Sequence, residues 1–311
     1  MNITTLQSRG RERASRFALA SLCILLFLSS GSSQARPTRV AVLDFGSTAT
    51  GLHAAAEIRG MFLSKDRSQD GGEFSIIDPD QTRAAALGAG FEGSLNLTLQ
   101  QARDLGAVIG CDFYFLGESQ TVRRFPSTGP IYFEAYAAIF LVSARTGRLV
   151  LWERPTVQRD SPNEAENSLR AILSSEETRH RFVVALRRAQ EDERAERVAA
   201  IENNPAIIEV MSDDDRETNK DVRAPRPYRR LKPPYPQSAA IAEVEATVDV
   251  LVDIDARGEI GRVEIARWAG YGLDQSVIDT VRQMHFFPAM RSGVAIPMRV
   301  LLRYNFRKPP K

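Results

Sequence analysis

The residues able to do chemistry are few and far apart. The chain has three histidines, His53, His180 and His285, and two cysteines, Cys23 and Cys111. A nucleophilic triad needs a hydroxyl or thiol, a base within reach and an acid that orients the base. No histidine here accompanies a Gly-x-Ser-x-Gly elbow or a cysteine in a matching context, so each reads as a structural or surface residue. No two histidines have metal-ligand spacing and there is no Cys-x-x-Cys, so no metal centre is expected. Asp213-Asp214-Asp215 with Glu217 could offer carboxylates to calcium, but without an EF-type loop and its glycine they read as a solvated charge run. Gly88-Ala89-Gly90 lacks the Lys-Ser/Thr ending of a phosphate-binding loop, and Gly71-Gly72 lies in a polar turn. Asp44 ends an apolar strand and reads as a hydrogen-bonding strand-end residue. The expectation is a non-enzymatic protein with no catalytic residue, metal or cofactor.

Recognition through backbone edges is the chemistry left, and the last quarter of the chain is built for it. Val244, Ala246, Val248, Val250, Val252 and Ile254 fall on every second residue, with Glu245, Thr247, Asp249, Asp253 and Asp255 between them. Side chains of a strand alternate between faces, so this is a half-buried strand. Ala256-Arg257-Gly258-Glu259 supplies a turn, and Ile260 to Ile265 returns as the second arm of a hairpin. Leu273, Val277, Val281 and Met284 then recur at helical spacing, with Asp274 in the first turn and Phe286-Phe287-Pro288 as the stop. In Met298, Val300, Leu302, Tyr304 and Phe306 the period returns to two, while Arg299, Arg303 and Asn305 take the other face. The unit is β-β-α-β, one helix on a small antiparallel sheet. Its closing strand offers an edge of unpaired N–H and C=O groups, which proteins either block or use to add a partner's strand.

The rest of the chain must carry that unit. Its 311 residues are 43% hydrophobic and 26% charged with a formal net charge of +2, enough for about two domains and without the basic excess that would point to nucleic acid. Arg9, Arg11, Arg13 and Arg16 precede an apolar run, Phe17 to Leu28, and a small-residue end at Ala35. That pattern is a secretory signal; retained, it would be an inner-membrane anchor, although it is shorter than the roughly 20 residues a spanning helix needs. After cleavage Cys111 would be the only cysteine, read as a buried structural thiol. Val40 to Phe45, Phe74 to Ile77, Phe113 to Gly117, Tyr132 to Val142 and Leu149 to Trp152 read as strands. Leu52 to Phe62, Asp80 to Ala86 and Leu99 to Val108 read as helices, giving a mixed sheet with helices packed on it. Leu169 to Ala189 carries one or two amphipathic helices, Glu191 to Arg197 a solvated charged continuation, and Asp213 to Pro227 a flexible linker. The expected class is α+β: residues 1–35 signal or anchor, 36–157 an α/β domain, 158–224 a helical and charged linker, and 225–311 the β-β-α-β domain.

Pro234-Tyr235-Pro236, the hairpin with Asp255-x-x-Gly258, Gly272-Leu273-Asp274, Phe287-Pro288-Ala289 and the closing strand resemble, in that order, the C-terminal domain of TonB proteins over residues 225–308. Two positions depart: Glu245-Ala246 stands where that family usually has a glycine, and His285 where it has an aromatic, often Trp. Residues 38–153 resemble the α/β domain of CsgG-like and TolB-amino-terminal-like envelope proteins, through Ala41 to Phe45, Phe74 to Asp78, Gly110-Cys111-Asp112-Phe113 with Gly117, and Thr146-Gly147. The TonB resemblance implies a periplasmic, cell-envelope protein whose closing strand pairs with an extended peptide, the TonB box, of an outer-membrane transporter. By position it implies a partner-binding set of Met298, Arg299, Val300, Leu301, Arg303 and Asn305 on the strand, with Lys232, Pro234, Tyr235 and Pro236 beside it. Tyr304 and Phe306 are expected in the core. An ExbB–ExbD-like motor would be a second partner if the N-terminal segment is retained. TonB anchors carry a histidine and residues 17–28 have none, which ranks plain periplasmic binding above energy transduction. The alternative is a non-energised envelope assembly protein, and an open edge also allows a homodimer.

Overall fold

A central strand covered on both faces must be apolar throughout, and Val40, Ala41 and Val42 are fully buried in one. The structure, a computed structural model, describes residues 36–63, 73–202, 209–211 and 222–308. The expected signal or anchor, the expected turn at Gly71-Gly72 and Asp213-Asp214-Asp215 lie outside the described residues. β1 (Thr38–Val42) pairs in parallel with β2 (Phe74–Ile76) on one side and β3 (Phe113–Arg124) on the other. β4 (Tyr132–Ser143) runs antiparallel to β3 along its whole length, and β5 (Leu149–Glu153) and β6 (Thr156–Arg159) share its far side. The order β2-β1-β3-β4-β5 is the expected mixed sheet. β6 has no alternation that would predict it, since its four residues contain one buried apolar side chain, Val157.

Helices α1 (Ala49–Leu63), α2 (Pro79–Gly88) and α3 (Leu99–Ile109) connect the strands, and α4 (Pro162–Leu173) and α5 (Glu176–Glu202) follow them. α1, α4 and α5 cover one face of the sheet, where Ile58, Leu169, Phe182 and Leu186 are buried against Phe115 and Leu141. The Phe115 and Phe182 rings meet edge to face with centroids 5.1 Å apart. The charged stretch 191–197 is helical and mostly exposed, as expected, and from it Glu193 accepts from Ser143 and Arg145 and Glu196 pairs with Arg148, which fastens α5 to the β4–β5 turn.

The opposite face of the sheet is covered by α3 and by the C-terminal unit. That unit consists of β10 (Ala246–Ile254), β11 (Ile260–Arg267) and β15 (Met298–Phe306), antiparallel in the order β11-β10-β15, with α7 (Leu273–Arg282) packed on one side and the short α6 (Gln237–Ile241) preceding it. Leu273, Val277 and Val281 of α7 are buried on Val248, Val250 and Val252. The β-β-α-β order expected from the alternation is present. The same apolar cluster continues into Leu116, Phe140 and Leu105 of the α/β sheet layer, so the two sheets share one core.

The seam is polar as well as apolar. Trp268 is buried on Phe140, ring centroids 5.6 Å apart, and its indole Nε1 donates to the Gly147 carbonyl at 3.0 Å. Asn96 Nδ2 donates to the carbonyls of Thr247 (2.8 Å) and Trp268 (2.7 Å), and its Oδ1 accepts from the Thr247 amide at 3.1 Å. Arg148 of the β4–β5 turn reaches Glu264 on β11. Gly270 has a φ of +72°, and a Cβ there would come within 2.6 Å of Phe140 and 2.8 Å of Trp152. Only glycine lets this loop press so closely on the sheet. Asp274 closes the loop from the other end, accepting from the amides of Ala269 and Gly270 at 2.8 Å each. Burial nevertheless outweighs those two bonds and pushes its carboxyl up from 3.8 to about 6.

Two outcomes follow from the seam. Trp268→Ala is expected to cost about 3–5 kcal/mol and lower the urea midpoint, by loss of the ring's burial and of its bond to Gly147; an unchanged midpoint would show that the sheets are held together elsewhere. A carboxyl whose folded pKa is raised binds its proton more tightly in the native state, so its contribution to stability grows as pH falls and is lost as pH rises through about 6. Urea midpoints measured at pH about 7.5 and about 5 should therefore differ less in Asp274→Asn than in the unaltered protein. An identical pH response in the two proteins would rule Asp274 out as the source.

Candidate partner-binding edge

β15 is the strand on which the two sides differ. Toward the core sheet it pairs with β10 along its nine residues, from Ala246↔Phe306 to Ile254↔Met298. On the outer side β7 (Glu209–Met211) runs parallel to it in the register Met298↔Glu209, Arg299↔Val210 and Val300↔Met211. The expected all-antiparallel sheet thus gains a parallel strand, and the edge expected to be free is covered at its first three residues. From Leu301 to Phe306 no strand among the described residues pairs with the outer edge.

A groove of about 140 Å³ runs beside that open stretch. Its floor is Val300 to Tyr304, and its walls are Ala224 to Pro227 with Arg230, Met284 and Phe286. The wall is a correction to the expected linker. Val222–Arg223 (β8) pairs with Ala289–Arg291 (β13), which pairs in turn with Val294–Ile296 (β14), and Arg226–Pro227 (β9) pairs with Phe286–Phe287 (β12). Val222 and Ala224 pack on the buried Ala289 and Met298, which gives this charged, Pro-containing stretch a reason to order. Tyr228 donates its amide to the His285 carbonyl and sets its ring 4.2 Å from that of Phe287, and both rings are exposed. Arg226 falls in the stretch whose composition predicts a linker, and Arg230 lies just past it with no pattern of its own; the Pro-x-Pro-Tyr run beginning at Pro225 is the one available signal.

The residues singled out in the sequence fall into two groups. Met298, Arg299, Val300, Leu301, Arg303 and Asn305 lie on β15 itself. Arg299 grips Asp253 through two nitrogens, Arg303 grips Asp249 at 2.7 and 3.1 Å, and Asn305 accepts from Thr247 at 2.9 Å. Asp249 also accepts from Arg267 at 3.2 Å. The hydrogen bond to Asp253 raises the Arg299 pKa, so its charge is fixed. These arginines are therefore engaged with β10 on the sheet's polar face. On the other face the Tyr304 hydroxyl meets the Met284 sulfur at 3.5 Å, burial pushes its pKa up, and Phe306 is buried, as expected of both.

Lys232, Pro234, Tyr235 and Pro236 form the second group, a buttress at the end of β15. The Tyr235 hydroxyl donates to the Val244 carbonyl at 2.6 Å, and its ring lies 6.1 Å from that of Phe306. Burial pushes the Tyr235 pKa up, with Glu245 and Glu243 adding to it. The Pro234 carbonyl accepts from Ser276 of α7 at 2.6 Å, Pro236 stands at the N-cap of α6, and Lys232 is exposed. Elsewhere, His53 Nδ1 is 2.6 Å from Glu166, Asp44 accepts from Arg83 at 2.9 Å, and burial pushes the Cys111 thiol up to about 12. No described helix is long and apolar enough to cross a membrane.

Residues 232–307 match the family model described as Gram-negative bacterial TonB protein C-terminal. No curated protein matches the chain. Among solved structures, the TonB C-terminal domain of Pseudomonas aeruginosa is 20% identical, covering 34% of this chain and 99% of its own, at a TM-score of 0.26. The LpoB C-terminal domain from Salmonella enterica is 14% identical, covering 39% of this chain and 83% of its own, at 0.26. Lipoprotein GNA1162 from Neisseria meningitidis is 13% identical, covering 50% of this chain and 99% of its own, at 0.27. The family model, and not these distant likenesses, identifies the domain. Residues 232–307, with β15 as the closing strand, are a TonB C-terminal domain.

Proposed function

We propose that this protein is a non-catalytic adaptor of the Gram-negative cell envelope that takes up an extended segment of a partner as an added strand on β15. The observation that carries the reading is the asymmetry of that strand: fully paired to β10, but without a strand partner among the described residues on its outer side from Leu301 to Phe306. Backbone groups left at an edge pair readily with an extended chain, and the adjoining groove then receives alternate side chains of that chain. Met298 to Phe306 supply the ladder, and Arg226 and Arg230 the cationic wall. Lys232 to Pro236 hold the end of the strand through Tyr235. The family of the domain makes an outer-membrane TonB-dependent transporter the partner to test first, with the adaptor in the periplasm. Coupling to inner-membrane energy would further require residues 17–28 to be retained and to engage an ExbB–ExbD-like motor.

A second reading, a non-energised assembly protein, is favoured by the seam. The domain is joined to the α/β layer through Trp268 and Asn96, and so presents its edge from a fixed body.

Titrating the isotope-labelled protein with N-terminal peptides of outer-membrane transporters should move amide signals along Met298 to Phe306 and around Arg226 to Arg230. Peptides N-methylated at alternate residues on their pairing side should move none, because they lack the donors of a ladder. Absence of shifts with every peptide would remove the transporter reading and leave the assembly reading.

A further inference from the structure

The outer edge of β15 already has an occupant. Glu209, Val210 and Met211 lie along Met298, Arg299 and Val300 as a parallel strand, contributed by the segment between α5 and β8. We propose that this segment is an internal competitor for the edge, which an incoming strand must displace to pair with β15 over its full length. The inference rests on the proposed use of β15 as a strand-addition site and concerns the regulation of that same site.

Three observations support competition over permanent sheet extension. The internal strand covers three of the nine residues of β15, so an extended chain running from Met298 to Phe306 would form a longer ladder. Ser212-Asp213-Asp214-Asp215 follows Met211, and these residues have low strand propensity, which limits how far this sequence can lengthen its own pairing. The short ladder is compensated by connectivity. Glu202 ends α5 seven residues before Glu209, and Val222 begins β8 eleven residues after Met211, so the strand is tethered on both sides at a high effective concentration. A tethered occupant with a short ladder lowers the apparent affinity of a partner by the fraction of time the edge is taken. It also keeps that part of the edge from pairing with a second copy of the chain.

The parallel direction bears on the partner. A chain that replaces Glu209–Met211 in the same sense enters at Met298 and proceeds past Leu301 along the groove walled by Arg226 and Arg230. A chain confined to Leu301–Phe306 would sit beside the internal strand and displace nothing.

The test uses the whole protein and a triple variant carrying Glu209→Gly, Val210→Ser and Met211→Gly, which loses strand propensity at the three positions of β7. The first probe is a synthetic peptide of the chain's own residues 207–213, followed by fluorescence anisotropy. It should bind the triple variant about 2- to 10-fold more tightly than the unaltered protein. In the variant, amide hydrogen exchange at Met298 to Val300 should speed up and be slowed again by the peptide. Equal affinity for both proteins, or binding to neither, would overturn the inference. The second probe is a transporter peptide. Tighter binding of that peptide to the variant supports displacement, and equal binding to both proteins with amide shifts at Met298 to Val300 in each overturns it. If the self-peptide discriminates between the proteins while no transporter peptide binds either, the internal strand stands as occupant and the transporter reading is what falls.

Discussion

A buried indole must find an acceptor for its N–H, and the position of Trp268 follows from that need. Its partner is the Gly147 carbonyl in the β4–β5 turn, reached across the boundary between the two sheets. Asn96 completes the arrangement with three backbone hydrogen bonds, two to β10 at Thr247 and one to the Trp268 carbonyl. An unmet amide or carbonyl here would cost about 1–3 kcal/mol, so these bonds select one docking of the C-terminal sheet on the α/β layer. From that docking follow the places of β10, of β15 beside it, and of the edge β15 presents outward.

The polar face of the C-terminal sheet is internally balanced. Asp249 takes both Arg267 and Arg303, and Asp253 takes Arg299, in a row that crosses β11, β10 and β15. Cross-strand pairs of this kind contribute about 0.2–1 kcal/mol each, so their main effect is on register. A strand slipped by one residue would put the arginines against the apolar positions. Arg303 lines the groove while paired to Asp249, and Arg226 and Arg230, in the segment before the Tyr-Pro motif, add two further cations to it.

The strands with clear alternation were legible in the sequence, and so was the helix between them. Val244 to Ile254 and Met298 to Phe306 each turn an apolar face to the core and a polar one away from it, and Leu273 to Val281 buries the stripe its spacing implied. Other parts had no periodic signature to read. Trp268 follows the last residue of β11 and looks like a loop residue until Gly147 and Phe140 are brought to it from more than a hundred residues away. Val222–Arg223 and Arg226–Pro227 are pairs of residues, too short to alternate, and what orders them is the strand each meets. Glu209–Met211 is the same case, since its pairing depends on an edge elsewhere in the chain. Of the candidate site, the strand itself was visible; its groove wall and its internal occupant were not, because both are tertiary facts about a segment whose composition resembles a linker.

The nine-pair ladder between β15 and β10 has a mechanical meaning. Its hydrogen bonds lie across the strand direction, so tension applied along a chain paired with β15 would load them in shear, all together. A ladder loaded that way resists as a unit, whereas one pulled from its end opens a pair at a time. The same tension would pass from β10 through Asn96 to the α/β body, with no compliant tether at that junction. On its other side the strand meets Glu209–Met211 over only three residue pairs, so a load carried along β15 would fall on the nine-pair ladder to β10 far more than on that contact.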